Sequence, residues 1–115
     1  MKIKIKIGLR DAADEPFMGI GPAWLLRGVE RSGSLSLAAR DMKMSYSKAH
    51  KLVKTLEAAL GYPVLASARG GSSRGGSSLT PRGLRFLGRY EKFDAAVKAQ
   101  AEKLFEKEFP GGRLG

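Results

Sequence analysis

The feature that most constrains this fold is a pair of apolar repeats between Gly33 and Leu60, separated by a break of about three residues. Each repeat follows the i, i+3, i+4 spacing of a helix that buries one face. The apolar positions are Leu35, Ala38, Ala39 and Met42 in the first repeat and Ala49, Leu52, Val53, Leu56 and Leu60 in the second. Two such helices joined by so short a break predict a helix-turn-helix, in which the small Ala38 and Ala39 let a neighbouring helix approach closely.

Polar residues occupy the helix starts and the outer face of the second helix. Ser34 and Ser45 precede the two repeats, where a hydroxyl can accept a free backbone N–H of the first turn. The other faces of the second helix carry Tyr46, Ser47, Lys48, Lys51, Lys54 and Thr55. A basic, hydroxyl-rich face that begins at a helix N-terminus is typical of a recognition helix in a DNA major groove. The alternative is a plain αα-hairpin whose lysines are solvated.

The distribution of charge favours the DNA-binding interpretation. The 115 residues carry a formal net charge of +10, with a pI near 10.2, which indicates a polyanionic partner or an acidic membrane surface. Residues 31–90 contain eleven Lys and Arg but only two acids, so the excess is concentrated on the helix-turn-helix and the segment after it. The predicted DNA contacts are Ser34, Ser45, Tyr46, Ser47, Lys48, Lys51 and Lys54.

Several other classes of protein and site are disfavoured. The absence of cysteine excludes disulfides and thiolate metal sites, and a single histidine, His50, excludes a histidine metal cluster. His50 is expected either at the edge of the core or as a phosphate or base contact. No apolar run approaches the ~18 residues of a membrane span, so we expect a cytoplasmic protein. The glycine-rich segment lacks the Gly-Lys-Ser/Thr ending of a phosphate loop, and no serine has a nucleophile-elbow setting, so we expect neither a cofactor nor an enzyme.

The glycine-rich segment itself predicts a wing. Residues 64–68 and 77–80 are expected to form two short strands that bracket it, and Arg69 and Arg74 lie between them. Arginines on a loop between paired strands can enter a narrow minor groove. The alternative is a flexible Gly/Ser linker between two domains.

The N-terminal residues predict two further elements. Lysine and isoleucine alternate over residues 1–9, a pattern that indicates a half-buried strand. Pro22 then suits the first turn of a helix whose residues 23–30 bury one side, and in which Trp24 is expected to pack against the core.

The last apolar pattern predicts a long helix that pairs with a second copy of the chain. Thr80 and Pro81 have the residue types of an N-cap and a first helical position. The stripe that follows steps by three or four residues through Phe86, Tyr90, Phe93, Val97, Ala101 and Leu104. Because so long a stripe exceeds what a small domain can cover, we expect these residues to form a homodimer interface.

These elements together predict a mainly α protein with a small β-wing, that is, a winged helix-turn-helix plus a long C-terminal dimerisation helix. We expect the N-terminal strand and DNA-binding domain over residues 1–80, the dimerisation helix over 81–109, and a frayed tail over 110–115.

Several spaced motifs resemble one known family. They are Gly33-Ser34-Leu35 with Ala38-Ala39, Met44-Ser45-Tyr46 with Lys48-Ala49, the glycine pairs 70–71 and 75–76, Leu79-Thr80 with Gly83, and Tyr90. In this order they resemble the N-terminal DNA-binding domain of the molybdate-responsive ModE regulators, a winged helix-turn-helix related to LysR-type regulators. The resemblance implies a homodimeric bacterial transcription regulator that places the helix after Ser45 in the major groove, with Arg69 and Arg74 as wing contacts to double-stranded DNA.

The chain also departs from that family. His50 stands where a tryptophan is common, and Ser67 where a basic residue is frequent. Full-length members sense molybdate through separate C-terminal domains, whereas this chain ends at Gly115, so we expect it to lack the effector domain and do not assign molybdate binding to these residues. Two alternatives to a sequence-specific regulator stay open: a non-specific or architectural DNA-binding protein, and an interaction module that uses the last helix.

Overall fold

The computed structural model describes residues 1–67 and 76–112 and has the predicted winged helix-turn-helix architecture. Its helices are α1 (Ile20–Ser32), α2 (Leu35–Asp41), α3 (Tyr46–Leu60) and α4 (Pro81–Glu108). Its strands are β1 (Leu9–Arg10) paired antiparallel with β2 (Pro16–Met18), and β3 (Leu65–Ser67) paired antiparallel with β4 (Ser77–Leu79). The β3–β4 pair is the predicted wing, and α4 is the predicted long helix.

The first three helices pack around one apolar core. Leu25, Leu26 and Val29 of α1 are fully buried together with Leu56 of α3. The approach of α1 to α2 is close because Gly28 has no side chain: a Cβ placed there would lie 2.9 Å from the Cβ of Ala38. The sequence expectation that Ala38 admits a neighbouring helix is therefore confirmed, with α1 as that neighbour.

The predicted helix caps are present. The Ser34 hydroxyl accepts a hydrogen bond from the Leu37 N–H (3.1 Å), and the Ser45 hydroxyl accepts one from the Lys48 N–H (3.1 Å). At the start of α4, the Thr80 hydroxyl accepts a hydrogen bond from Gly83 N–H at 3.0 Å. Each bond satisfies a backbone donor that the helix itself leaves unpaired, which fixes where α2, α3 and α4 begin.

The predicted N-terminal strand is wrong over most of its length. Regular strand covers only Leu9–Arg10, because its partner β2 has three residues and α1 follows almost at once. The alternation is nevertheless preserved, since the isoleucines at 3, 5 and 7 are half-buried and the lysines between them are exposed. Residues 1–8 lie along α4, with Met1 beside Gly112 at its far end and the carbonyl of Ile7 accepting a hydrogen bond from Tyr90 Oη (2.7 Å).

Three smaller expectations also need correction. The first helix begins at Ile20, three residues before the predicted span of 23–30, although Pro22 lies in its first turn as predicted. Trp24 is 61% exposed, because it lies on the face of α1 opposite the buried Leu25, Leu26 and Val29. The expected frayed tail begins with an ordered 3-10 turn over Pro110–Gly112, where the Gly111 N–H donates to the Glu106 carboxylate.

The first turns of α4 belong to the core of the rest of the chain. Leu87 is fully buried and Tyr90 is 3% exposed, so Tyr90 does not belong to an exposed seam as predicted. Its ring packs inside its own chain, where burial and the nearby Asp94 raise the pKa of its hydroxyl. Glu91 lies one helical turn after Leu87, and both of its carboxylate oxygens accept hydrogen bonds from Arg27 of α1.

The Arg27–Glu91 pair also links stability to pH. The hydrogen bonds from Arg27 lower the pKa of the Glu91 carboxyl below its ordinary value. A carboxyl whose pKa is lowered on folding stabilises the protein above its unfolded-state pKa, and that contribution is lost as pH falls through the folded-state pKa. The pair therefore holds α4 to α1 at neutral pH and weakens in acid.

Gly83 provides a test of the close packing of α4 against the backbone of Val64. A Cβ at this buried position would lie 2.6 Å from the Val64 carbonyl oxygen, whereas a Cβ at Gly88, in the same helix, would meet nothing within 4 Å. We expect Gly83→Ala to lower the free energy of unfolding by about 1–3 kcal/mol. The control Gly88→Ala should raise it by roughly 0.5–1 kcal/mol, because alanine favours the helix more than glycine does. Urea denaturation of both variants measures the difference, and equal changes would contradict this close packing.

Candidate nucleic-acid interface

The exposed face of α3 carries most of the residues predicted to contact DNA. Ala49, Val53 and Leu56 are buried, which fixes the rotation of the helix about its axis. The opposite side therefore faces solvent and carries the exposed side chains of Ser47, Lys48, Lys51 and Lys54, and Tyr46 is exposed beside them at the first turn. Tyr46 is 55% exposed despite its large aromatic ring. The structure thus brings five predicted residues together on one surface, here called the α3 face.

The two predicted serines stand at helix starts. Ser45 is exposed at the first turn of α3, and Ser34 is half-buried at the first turn of α2. Both hydroxyl oxygens accept a backbone N–H, as described above, and each keeps its own hydrogen for donation. No acid lies in the first turn of α3, so the positive end of the helix dipole is not neutralised there. This end of α3 favours an anionic ligand.

The lysines of the α3 face differ in their electrostatic surroundings. Lys54 lies 3.3 Å from the Glu57 carboxylate, which partly offsets its charge. Within residues 1–67 and 76–112, no acid pairs with Lys48 or Lys51. Lys48 and Lys51 are therefore the cations of α3 with most charge available for a polyanion.

Glu57 has a positioning role that the sequence analysis did not assign. Its Oε2 accepts hydrogen bonds from the N–H groups of Val64 (2.8 Å) and Leu65 (3.3 Å), and its side chain is 14% exposed. The carboxylate therefore holds the end of α3 against the first strand of the wing. A sequence signal existed, since Glu57 is the only acid in α3.

The wing is also fixed to the helix-turn-helix. Ser77 N–H donates to the carbonyl oxygen of Gly33 at 2.8 Å, which joins the start of β4 to the link between α1 and α2. Gly76 precedes this bond with φ of +83°, a backbone region that glycine enters without strain. The two predicted wing contacts, Arg69 and Arg74, lie outside the described residues.

His50 lies on α3 and not at the core edge. It is exposed, and its ring centroid is 6.0 Å from that of Tyr46, one helical turn earlier. Of the two roles left open by the sequence, its position is consistent with a phosphate or base contact.

The predicted dimer residues fall into three groups. Phe93 and Leu104 are 53% and 62% exposed, and eleven residues of helix place them on the same side of α4. Phe86, Val97 and Ala101 are half-buried, while Tyr90 is buried in its own chain. An exposed apolar strip therefore remains on α4, here called the α4 strip and defined by Phe86, Phe93, Val97, Ala101 and Leu104.

Comparison with known proteins identifies the family. The model for "Bacterial regulatory helix-turn-helix protein, lysR family" matches residues 25–84, from α1 to the first turn of α4. The chain belongs to this lysR family. The matched span contains the whole α3 face and both strands of the wing. The family model therefore covers the candidate DNA-binding surface of this chain.

Two curated relatives place this lysR-family chain near the ModE proteins. It is 38% identical over 90 residues to the molybdenum-pterin-binding protein MopB of Rhodobacter capsulatus, an alignment that covers 78% of this chain and 33% of MopB. It is 30% identical over 92 residues to the molybdenum transport protein ModE of Azotobacter vinelandii, covering 78% and 34% respectively. The chain thus spans about a third of the length of these relatives. The resemblance to ModE found in the sequence is confirmed.

A solved structure supports the fold. The crystal structure of the CbnR DBD–DNA complex matches with a TM-score of 0.59 at 22% identity, over 75% of this chain and 93% of that one.

In the described part of this lysR-family chain, no helix is long and apolar enough to cross a membrane. Nor do residues 1–67 and 76–112 bring together three or more acidic, histidine or cysteine side chains that could hold a metal ion.

Gly76 tests whether the attachment of the wing matters for DNA binding. A Cβ at Gly76 would lie 2.5 Å from the Gly33 carbonyl oxygen, so Gly76→Ala must break the Ser77–Gly33 bond or move the wing. We expect weaker DNA binding, together with about 1–3 kcal/mol of strain from the positive φ. Gly111→Ala is the matched control, because Gly111 also has a positive φ (+67°) and its added Cβ would meet nothing within 4 Å. Fluorescence anisotropy with a labelled duplex gives the affinities, and an unchanged affinity of Gly76→Ala would contradict a role for the wing.

Proposed function

We propose that the protein is a homodimeric, sequence-specific DNA-binding transcription regulator. The observation that carries the proposal is the α3 face, where a tyrosine, a serine and two unpaired lysines are exposed on a helix of a lysR-family domain. In this proposal α3 enters the major groove and the wing lies along the adjacent backbone. The protein acts in the cytoplasm, by binding and not by catalysis.

The proposed DNA contacts divide by the groups that each can bind. Ser45 and Ser34 lie at helix starts, where hydroxyl and backbone N–H donors fit phosphate oxygens. Tyr46, Ser47 and Lys48 occupy the first turn of α3, the part of a recognition helix that contacts base edges. Lys51 and Lys54 follow on the next turns and are assigned to phosphates or, for Lys51, to a base edge. Arg69 and Arg74 are proposed as wing contacts on sequence grounds alone.

The α4 strip supports the homodimer. Large apolar side chains such as Phe93 and Leu104 are rarely left exposed in a row unless they pair with another surface. Pairing this strip with its own copy gives a two-fold axis, so the operator should be an inverted repeat with half-sites about one helical turn, ~10 bp, apart. Enrichment of tandem direct repeats instead would contradict this arrangement.

The decisive experiment is selection of bound sites from a random DNA library by the purified protein at near-physiological salt. A palindromic motif would support the specific regulator. A flat profile with measurable binding would replace it by the non-specific or architectural alternative. An absence of binding would favour the interaction module.

The lysines of α3 provide a residue-level test. Lys51→Ala should weaken binding to operator and random DNA alike, and should lower the dependence of log K on log salt by about one unit for each protomer, if Lys51 contacts a phosphate. Lys48→Ala should lose more affinity on the operator than on random DNA if Lys48 contacts a base. Lys107→Ala, at the far end of α4, removes the same charge and should leave both affinities unchanged. Equal losses for all three variants would show that only net charge matters.

The α4 strip is tested by introducing charge into it. Phe93→Glu and Leu104→Glu should each convert the dimer to a monomer, because a carboxylate in an apolar interface is left without a partner. Leu37→Glu, on an exposed residue of α2, is the control for added charge and should stay dimeric. Sedimentation velocity reports the oligomeric state. The monomers should bind the full operator at least about 100-fold more weakly, because the second half-site no longer benefits from linkage. Unchanged dimerisation of both variants would contradict the assignment.

A further inference from the structure

His50 lies at the edge of the α3 face that is nearest to the wing. It lies one helical turn after Tyr46, with 6.0 Å between ring centroids, and one turn before Lys54. Side chains at this spacing share one side of a helix. His50 also borders a groove of about 170 Å³ between α3 and the wing. A duplex lying on the α3 face and the wing would therefore pass over the imidazole.

Among the described residues, the one acid that borders the groove of His50 is already paired with other groups. From α3 the groove is faced by Tyr46, Lys54 and Glu57, and Glu57 is already engaged by Lys54 and by two backbone N–H groups. The wing and α2 contribute only uncharged residues to the described part of the groove, namely Leu35, Leu65, Ala66, Ser67 and Ser77. In residues 1–67 and 76–112 no acid forms an ion pair with His50. A DNA phosphate would supply the missing negative charge.

We propose that His50 is a proton-linked DNA contact, whose imidazolium form binds a backbone phosphate so that DNA binding takes up a proton. This inference rests on the proposed DNA-binding function. The direction of the effect follows from linkage: a phosphate favours the charged imidazole, so the bound state holds more protons than the free state, and affinity rises as pH falls. The DNA affinity stops rising once the pH is low enough for the imidazole to be protonated in the free protein as well.

The composition of the chain makes this effect separable from others. Histidine is the side chain whose ordinary pKa places its change of charge between pH 5 and 8. The chain contains one histidine and no cysteine. The terminal amine, which also titrates near this range, belongs to Met1, which lies beside Gly112 at the far end of α4. The contribution of His50 can therefore be isolated by comparing the wild type with a variant that lacks the one imidazole of the chain.

The experiment measures the affinity of the whole chain for two labelled duplexes, one random and one selected, between pH 7.8 and 5.5 at constant ionic strength. The wild type should bind both duplexes about 3- to 10-fold more tightly at pH 5.5 than at pH 7.8. His50→Gln should change by less than about twofold over the same range. His50→Lys should bind tightly at both pH values, with a salt dependence steeper by about one unit for each protomer than that of His50→Gln. Lys51→Ala removes a charge from the same helix outside the groove, so it is the matched control and should keep the pH dependence of the wild type.

The outcomes separate this inference from the function on which it rests. A His50→Gln protein with the pH dependence of the wild type overturns the inference, as does a wild type that binds DNA equally at all pH values. A pH effect confined to the selected duplex also overturns it, because a phosphate contact acts on both. Absence of wild-type binding to either duplex at any pH would instead refute the proposed function itself.

Discussion

The surroundings of Val64 are the junction on which the rest of the structure depends. Val64 is fully buried, its N–H is held by the Glu57 carboxylate of α3, and its carbonyl oxygen accepts the Thr80 N–H at 2.9 Å. Gly83 of α4 packs directly on it. Three elements with different roles, the DNA-facing helix, the wing and the long helix, are therefore fixed to one residue. These contacts set the direction of α4 relative to the α3 face, and in the proposed homodimer that direction determines where the second α3 face lies.

The sequence predicts most of this fold because its signals are local. A serine or threonine before an apolar repeat identifies the starts of α2, α3 and α4, since the capping hydroxyl and the donor that it satisfies are three residues apart. The face of α3 follows for the same reason, because the buried Ala49, Val53 and Leu56 determine which residues point outward. The lysR family and the resemblance to ModE rest on these same residues.

The errors concern contacts between residues far apart in the chain. Alternation over residues 1–9 correctly predicts which side chains are half-buried, but a strand also requires a hydrogen-bonding neighbour, and the spacing of residues does not reveal that β2 has only three residues. Tyr90 fits the apolar stripe of α4, yet its hydroxyl reaches the carbonyl of Ile7, 83 residues earlier. The role of Glu57 was missed because its partners are backbone N–H groups, which every sequence contains. The basic residues show the same limit of sequence analysis. Arg27 forms ion pairs with Glu30 and Glu91, whereas Lys48 and Lys51 form none among the described residues, and the sequence does not distinguish them.

The path of the first eight residues has a consequence for the shape of the molecule. Ile7 lies next to the helix-turn-helix, here called the body, where its carbonyl oxygen accepts a hydrogen bond from Tyr90. From there the segment runs back to the tip of α4, where Met1 lies beside Gly112. The molecule is 61 Å long and 22 Å across at its thinnest, and this segment gives the projecting half of a single helix a second strip of chain. The segment therefore supports α4 along its length, because bending α4 away from the body would separate the isoleucine side chains from the helix. Residues 1 and 112 therefore lie beside each other at the tip of α4, at the end of the molecule away from the helix-turn-helix.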